Sequence, residues 1–179
     1  MSHILFFCKE GIIMLKIVRV QKNEESKILF FFHSLLEHLS NAMEQAEYFK
    51  QTKQGDQLIK KAIQDECLYV GIVQNRLVSL MVLDHNNEKV NDEVSVIYSI
   101  AVDPAYFGHG IANQMISYAI DHSREKGSEY LHLVVLENHA KTLDVYEDLG
   151  FFYEGQHIEK EDDGHLFYVY KYPLKGKQK

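Results

Sequence analysis

The sequence predicts a mixed α+β fold, with helices flanking a mostly antiparallel central sheet. Three strand-like runs follow one another between residues 68 and 102 with no helix between them, and two helical runs precede them. Strands that follow one another closely pair as antiparallel neighbours, whereas a parallel, doubly wound sheet needs a helix after each strand. Strict alternation occurs only later in the chain, so the sequence favours a single mixed-sheet domain over a Rossmann fold.

The first half of the chain is predicted to contain three strands and two helices. Apolar residues alternate with polar ones in a half-buried strand, and they recur every three or four residues on a helix. By these spacings a strand lies at 15–20, helices lie at 23–43 and 56–66, and strands lie at 68–73 and 77–83. The turn Gln74–Arg76 joins the last two strands into a hairpin.

The second half is predicted to add four strands and two helices. Glycine is a common residue just beyond a helix, so Gly127 and Gly150 mark two helix ends. In chain order the elements are a strand at 93–102, a helix ending near 126, a strand at 130–136, a helix at 140–149, and strands at 151–158 and 165–172.

Composition and charge indicate in which compartment the protein works and which classes of partner are excluded. The net charge is -7 and the sequence contains no basic stripe, so no nucleic-acid partner is predicted. No apolar run approaches the about 20 residues that cross a membrane, so no membrane association is predicted. Cys8 and Cys67 form no metal-like or CxxC spacing, which favours a reducing, cytoplasmic location. The ten histidines are scattered, and no metal site is predicted.

The domain boundaries follow from where strand-like patterning begins and ends. Met14 opens a stretch that reads as the first strand of a domain. We therefore predict an N-terminal extension at 1–13, one domain at 14–174 and a basic C-terminal tail at 175–179.

A glycine-containing loop, DPAYFGHGIANQMI at 103–116, stands between a strand and a helix. The first amides of a helix have no partner inside the helix, and the helix dipole adds positive charge there. Gly108 and Gly110 remove side chains that would hold an anion away. The loop is therefore a candidate phosphate site, with an ordinary tight turn as the alternative.

Two motifs resemble the GNAT family of N-acetyltransferases. The first is a strand and turn leading into Arg/Gln-x-x-Gly-x-Gly/Ala at a helix start, and residues 107–112 fit this pattern except that Phe107 replaces the Arg/Gln. The second runs from an Asn through a Tyr to Gly-Phe, matched here by Asn138, Tyr146, Gly150 and Phe151. Asn138 lies one residue further from the tyrosine than is usual, and His139 occupies the expected register.

The resemblance implies that the protein uses acetyl-CoA as a co-substrate. In the family, loop amides hold the pyrophosphate and the preceding strand pairs with the pantetheine arm. Carried over to this chain, the cofactor-binding residues are Ile100, Ala101, Val102, Phe107, Gly108, His109, Gly110, Ile111, Ala112 and Asn138. The backbone amide of Phe107 is expected to remain available to the phosphates, and Phe107→Arg is expected to tighten binding.

Tyr146 is the predicted general acid. A phenol with a pKa near ~10 can protonate a thiolate whose parent thiol has a pKa near ~8.5. The alternative is that its ring only packs in the core. The predicted general base is Glu93, the carboxylate nearest the central strand, and its alternative is a solvated strand-end charge. Tyr98, His132 and a water chain are further candidates.

The resemblance thus implies acetyl transfer to a primary amine by direct attack. The acidic surface favours a cationic small molecule or a basic peptide as the acceptor. A non-catalytic acyl-CoA-binding or regulatory module, and a protein N-acetyltransferase, are the alternatives. Phe30, Phe31 and Phe32 on the first helix fit core packing, an acceptor pocket or the contact of a homodimer.

Overall fold

A computed structural model describes residues 13–39, 54–85, 93–136, 146–159 and 166–175. Asn138, residues 1–12 of the predicted extension, and most of the helix predicted at 140–149 lie outside the described residues. The domain boundaries therefore stay predictions.

Seven strands and three longer α-helices are formed by the described residues. Their bounds are β1 Lys16–Arg19, α1 Glu25–Leu39, α2 Gln54–Gln64, β2 Leu68–Val73, β3 Arg76–Asp84, β4 Val94–Val102, α3 Ile111–Glu125, β5 Tyr130–Leu136, β6 Phe152–Glu159 and β7 Leu166–Pro173. Single 3-10 turns lie at Lys22–Glu24 and Pro104–Tyr106, and residues 146–148 are helical.

The strands form one sheet in the order β1-β2-β3-β4-β5-β7-β6. β1 with β2, β2 with β3, β5 with β7 and β6 with β7 are antiparallel, whereas β4 with β5 is parallel. The predicted α+β class with a mixed, mostly antiparallel sheet is confirmed. β4 and β5 are parallel because α3 connects them and carries the chain back to the end of the sheet at which β4 begins.

The chain forms two compact units. The first comprises the chain up to Val82 together with Ser99–Tyr118. Its core contains the apolar faces of the first two helices, whose buried residues recur every three or four positions, as an amphipathic helix requires. They are Ile28, Phe32, Leu35, Leu36 and Leu39 of α1, and Ile59, Ala62 and Ile63 of α2. Among the three phenylalanines of α1, Phe32 is thus a core residue, whereas Phe30 is 78% exposed.

The second unit comprises Leu83–Tyr98 and Ala119–Lys179. Here β5 pairs with β7 along its whole length, from Tyr130↔Pro173 to Leu136↔Phe167. Leu131, Leu133 and Val135 alternate along β5 and are all buried, which shows the period-two pattern that the sequence displays.

Three helical segments end in the same hydrogen-bond pattern. In each, a residue with positive φ follows the helix, and the amide after it donates to a carbonyl five residues back, as in a Schellman motif. The positive-φ residues are Glu66 (φ 58°), Gly127 (φ 85°) and Gly150 (φ 92°). The bonds are Cys67 to Ala62 at 2.9 Å, Ser128 to Ser123 at 3.1 Å and Phe151 to Tyr146 at 3.0 Å. Glycine at two of these positions is why the sequence predicted those helix ends correctly.

Candidate phosphate-binding loop and active-site tyrosine

The segment between β4 and α3 is anchored by Asp103. Its amide donates to the Val78 carbonyl of β3 at 2.8 Å. Its carboxylate Oδ1 accepts from the amide of Ala105 at 3.0 Å and caps the 3-10 turn Pro104–Tyr106. The predicted strand ends just before Asp103, and Asp followed by Pro is a recognisable capping signal. Asp103 thus fixes where the glycine loop begins.

Residues 106–109 form a β-turn that requires glycine. Phe107 has φ -62° and ψ 145°, and Gly108 has φ 77°, which are the two central conformations of a type II turn. The amide of His109 closes the turn on the Tyr106 carbonyl at 3.4 Å. A side chain at position 108 would be strained because its φ is positive.

Gly110 is the second glycine with a left-handed backbone, at φ 71°. A Cβ built on Gly108 or on Gly110 would meet nothing within 4 Å. The space in front of both residues is therefore open to a ligand. No neighbouring atom is close enough to exclude a larger side chain at either position. Glycine is therefore needed here for its positive φ and for the open space that it leaves to a ligand.

Several amides of this loop and of the first turn of α3 have no hydrogen-bond partner among the described residues. Among the described residues, no hydrogen-bond acceptor is bonded to the amides of Gly108, Gly110, Ile111, Ala112 or Asn113, and the helical bonding begins with Gln114 donating to Gly110 at 3.0 Å. The first turn of the 15-residue helix α3 carries no acidic side chain. Unpartnered amides and the positive end of the helix dipole together attract an anion.

Phe107 differs from its prediction in one respect. The prediction that its amide remains available is wrong, because this amide donates to the Pro104 carbonyl at 3.1 Å. Its carbonyl is also used, because Nδ1 of His109 lies 3.0 Å away and donates to it. Phe107 as a whole is 51% exposed. The backbone of this residue is thus committed to the loop, whereas its side chain faces solvent.

The strand before the loop leaves part of its length outside the parallel pairing. The register of β4 with β5 runs from Val94↔Tyr130 to Ile97↔Leu133. Ile100, Ala101 and Val102, the predicted partners of the pantetheine arm, lie beyond this register.

Tyr146 is the first described residue of the helical segment that continues to Asp148, and hydrogen bonds at the end of this segment hold it. Gly150 donates to the Glu147 carbonyl at 2.8 Å, and Phe151 donates to the carbonyl of Tyr146 itself. The rings of Tyr146 and Phe151 lie 6.4 Å apart, and Phe151 in turn packs on Tyr172 at 5.2 Å. The spacing from Tyr to Gly-Phe therefore has a structural cause, because Gly-Phe closes the turn and supports the tyrosine ring.

Burial raises the pKa of the Tyr146 phenol above its usual value. The group therefore stays protonated through neutral and moderately alkaline pH. A protonated, partly buried hydroxyl can act as a general acid, which is the role that the sequence analysis predicted.

Glu93 lies in the turn that precedes β4, and its side chain is exposed. Its carbonyl accepts the amides of Glu129 at 2.7 Å and Tyr130 at 3.3 Å, which ties the starts of β4 and β5 together. His132, the alternative base, lies on β5 opposite Val96.

Two features are absent from the described residues. These residues contain no group of three His, Cys, Asp or Glu side chains placed to hold a metal ion. Likewise, none of their helices has both the length and the apolar character of a membrane span.

Residues 32–151 match the model of the acetyltransferase (GNAT) family. A mycothiol acetyltransferase of Brachybacterium faecium is 24% identical over 94 residues, which cover 52% of this chain and 28% of the relative. An uncharacterized N-acetyltransferase of Methanocaldococcus jannaschii is 34% identical over 59 residues, which cover 33% of this chain and 26% of the relative. The chain thus matches only about a quarter of the length of these curated relatives.

The fold is similar to that of solved acetyltransferases. A GNAT-family acetyltransferase from Listeria monocytogenes superposes with a TM-score of 0.73 at 15% identity, covering 94% of this chain and 99% of that one. At this identity the likeness concerns the fold.

Proposed function

Because the chain belongs to the GNAT family of acetyltransferases, we propose that it transfers the acetyl group of acetyl-CoA to the primary amine of a small acceptor. The observation that carries the proposal is the row of unpartnered amides at Gly108, Gly110, Ile111 and Ala112. These amides suit a pyrophosphate, which presents several anionic oxygens to one helix end.

Binding of acetyl-CoA by this chain depends mostly on the backbone. The open space at Gly108 and Gly110 admits the phosphates, and the amides donate to them. The amides and carbonyls of Ile100, Ala101 and Val102 pair with the pantetheine arm in the manner of an added strand. His109 contributes its ring next to the same amides, and Asn138 stays a predicted contact outside the described residues.

Tyr146 completes the transfer by donating a proton. The acceptor nitrogen forms a bond to the thioester carbonyl carbon, the carbon–sulfur bond breaks, and the departing sulfur takes the phenolic proton of Tyr146. Amides near the carbonyl oxygen stabilise its developing negative charge. The phenol is reprotonated from solvent after the product leaves.

The general base receives the proton that the ammonium group of the acceptor must lose. Glu93 is the proposed base, with Tyr98, His132 and a water chain as alternatives. The net charge of -7 favours a cationic acceptor, which the field of the protein attracts. An amino group at a protein N-terminus is an alternative acceptor of the same chemistry.

Thermal unfolding with and without acetyl-CoA tests the proposal first. At about 100 times its Kd the ligand adds about 2.7 kcal/mol to the free energy of unfolding, and the melting temperature rises by about 5–10 °C. Release of free thiol with a panel of amines then tests turnover. No shift would contradict the proposal, whereas a shift without turnover on any amine would favour a non-catalytic acyl-CoA-binding module.

Gly110→Ala is expected to raise the Kd for acetyl-CoA at least 10-fold. The added methyl group occupies the open space before the amides, and a non-glycine residue at φ 71° is strained by roughly 1–2 kcal/mol. Isothermal titration calorimetry measures the change.

Gly127→Ala is the matched control. Gly127 also has a positive φ, and a Cβ there also meets nothing within 4 Å, but the residue ends α3 rather than preceding it. It carries the same backbone strain and is expected to leave the Kd unchanged. Equal losses of affinity in both variants would show that strain, and not the phosphate site, is responsible.

A further inference from the structure

We infer that the exposed ring of Phe107 stacks on the adenine base of acetyl-CoA, an inference that rests on the proposed function. The ring stands where the family pattern has Arg or Gln, and it replaces a polar contact by a flat apolar one. Phe107 is 51% exposed, although its own backbone amide and carbonyl are both hydrogen-bonded.

The loop presents this ring in a defined position. The amide of Phe107 is bonded to Pro104 and its carbonyl accepts from His109, so both ends of the residue are fixed. Phe107 is the second residue of the type II turn that the His109 amide closes on the Tyr106 carbonyl. Because the backbone of Phe107 is already ordered, a ligand that stacks on the ring has to fix only the rotamer of the side chain.

The neighbourhood of the ring indicates which part of acetyl-CoA it contacts. The unpartnered amides begin at Gly108, directly after Phe107, so a pyrophosphate bound there lies beside the ring. A single ribose separates this pyrophosphate from the adenine base. On the other side the pantetheine arm is a flexible chain without a planar ring. Adenine is therefore the group of this ligand that offers a matching π-face.

Stacking on an aromatic side chain requires no hydrogen-bond partner from the protein. It tolerates an exposed site, because the two flat surfaces exclude water from each other. The ring therefore compensates for the missing Arg or Gln by binding the nucleotide end of the co-substrate instead of its phosphates.

Titration of two ligands against Phe107→Leu tests the inference. Leucine keeps an apolar side chain but removes the planar face. The Kd for acetyl-CoA is expected to rise about 5- to 100-fold, the range that loss of one base–aromatic stack produces. The Kd for S-acetyl-4′-phosphopantetheine, which lacks the adenosine part, is expected to stay unchanged. Phe107→Trp is expected to retain or improve the affinity for acetyl-CoA.

Phe152→Leu is the matched control, because Phe152 is an exposed phenylalanine on β6, 42% accessible. It is expected to change neither Kd. Proton NMR adds a readout that altered loop structure alone would not reproduce, because a stacked ring shifts the adenine proton signals upfield in the wild type and not in Phe107→Leu.

Four outcomes overturn the inference. Equal weakening of both ligands would assign Phe107 to the shape of the loop. Unchanged binding of acetyl-CoA by Phe107→Leu would leave the ring without a role in this ligand and favour a protein partner on this surface. Unshifted adenine signals in the wild type would also exclude the stack. Failure of the wild type to bind either ligand would remove the proposed function itself, which distinguishes that failure from the first three.

Discussion

Tyr146→Phe is expected to lower kcat by about 100- to 10,000-fold, the usual contribution of a general acid. The substitution removes only the hydroxyl group, so the ring still packs on Phe151 and the turn still closes on Gly150. The Kd for acetyl-CoA is therefore expected to stay unchanged. Because burial raises the pKa of this phenol above its usual value, wild-type activity is also expected not to fall through deprotonation of Tyr146 at neutral and moderately alkaline pH.

Steady-state kinetics of thiol release measure kcat, and calorimetric titration measures the Kd for acetyl-CoA, so the two effects can be separated. Tyr153→Phe is the matched control, since Tyr153 is a tyrosine of β6 that is 44% exposed. Its removal of a hydroxyl is expected to leave kcat within a factor of two. A Tyr146→Phe enzyme with wild-type kcat would show that Tyr146 serves packing alone, the alternative that the sequence left open.

Acidification is expected to destabilise the protein through His85. Burial, with help from His122 and Lys126, lowers the pKa of His85 to about 4 from its ordinary 6.5. Its Nδ1 lies 2.8 Å from the Ser95 hydroxyl, which lies 2.7 Å from the Ser128 hydroxyl, and the His122 ring lies 5.0 Å from the His85 ring. The buried Nε2 has no hydrogen-bond partner among the described residues. A second proton on this imidazole would therefore enter a partly buried site beside His122 and the Lys126 ammonium.

The direction of the effect follows from the two protonation states. Between pH 6.5 and 4 the unfolded chain binds a proton at position 85 that the folded protein does not, so stability is lost as the pH falls through this window. The loss is at most about 3 kcal/mol by pH 4, since each unit of pKa difference is worth about 1.4 kcal/mol and solvent screening of the partly exposed imidazole reduces the effect. Above pH 6.5 the group has no effect on stability.

Urea denaturation at several pH values between 7 and 4 measures this loss. His85→Gln is expected to be less sensitive to acid than the wild type by up to about 3 kcal/mol, because the amide stays neutral and can still bond to Ser95. His38→Gln is the control, since His38 is an exposed histidine at the end of α1. The same acid sensitivity in His85→Gln and in the wild type would contradict the assignment to His85.

The elements of the fold were predictable because their signals are local. The strand at 68–73 and the strand at 130–136 match the observed bounds of β2 and β5, since alternation or continuity of apolar residues over six or seven positions suffices to indicate a strand. The helix ends at Gly127 and Gly150 were predictable for a similar reason, because a positive φ at the end of a helix favours glycine wherever the helix packs.

The candidate site was predictable as far as it depends on backbone conformation. Gly108 and Gly110 adopt the left-handed conformations that glycine permits, and the first amides of α3 are unpartnered by the geometry of any helix. These properties depend only on about a dozen consecutive residues, so they can be predicted from a single sequence. The resemblance to the family then supplied the chemistry that such a loop performs.

Only the tertiary structure decided where the amide and the ring of Phe107 go. Its amide is taken by Pro104, because Asp103 is tied to Val78 of β3 and caps the 3-10 turn that holds this carbonyl in reach. The network around His85 is likewise hidden in the sequence, since its serines lie 10 and 43 positions further along the chain than the histidine itself, at Ser95 and Ser128. The sequence by itself determined the strands, the helix ends and the glycine loop. Long-range packing decided which amides, rings and imidazoles are left for ligands and protons, because burial and hydrogen bonding depend on neighbours that no local pattern specifies.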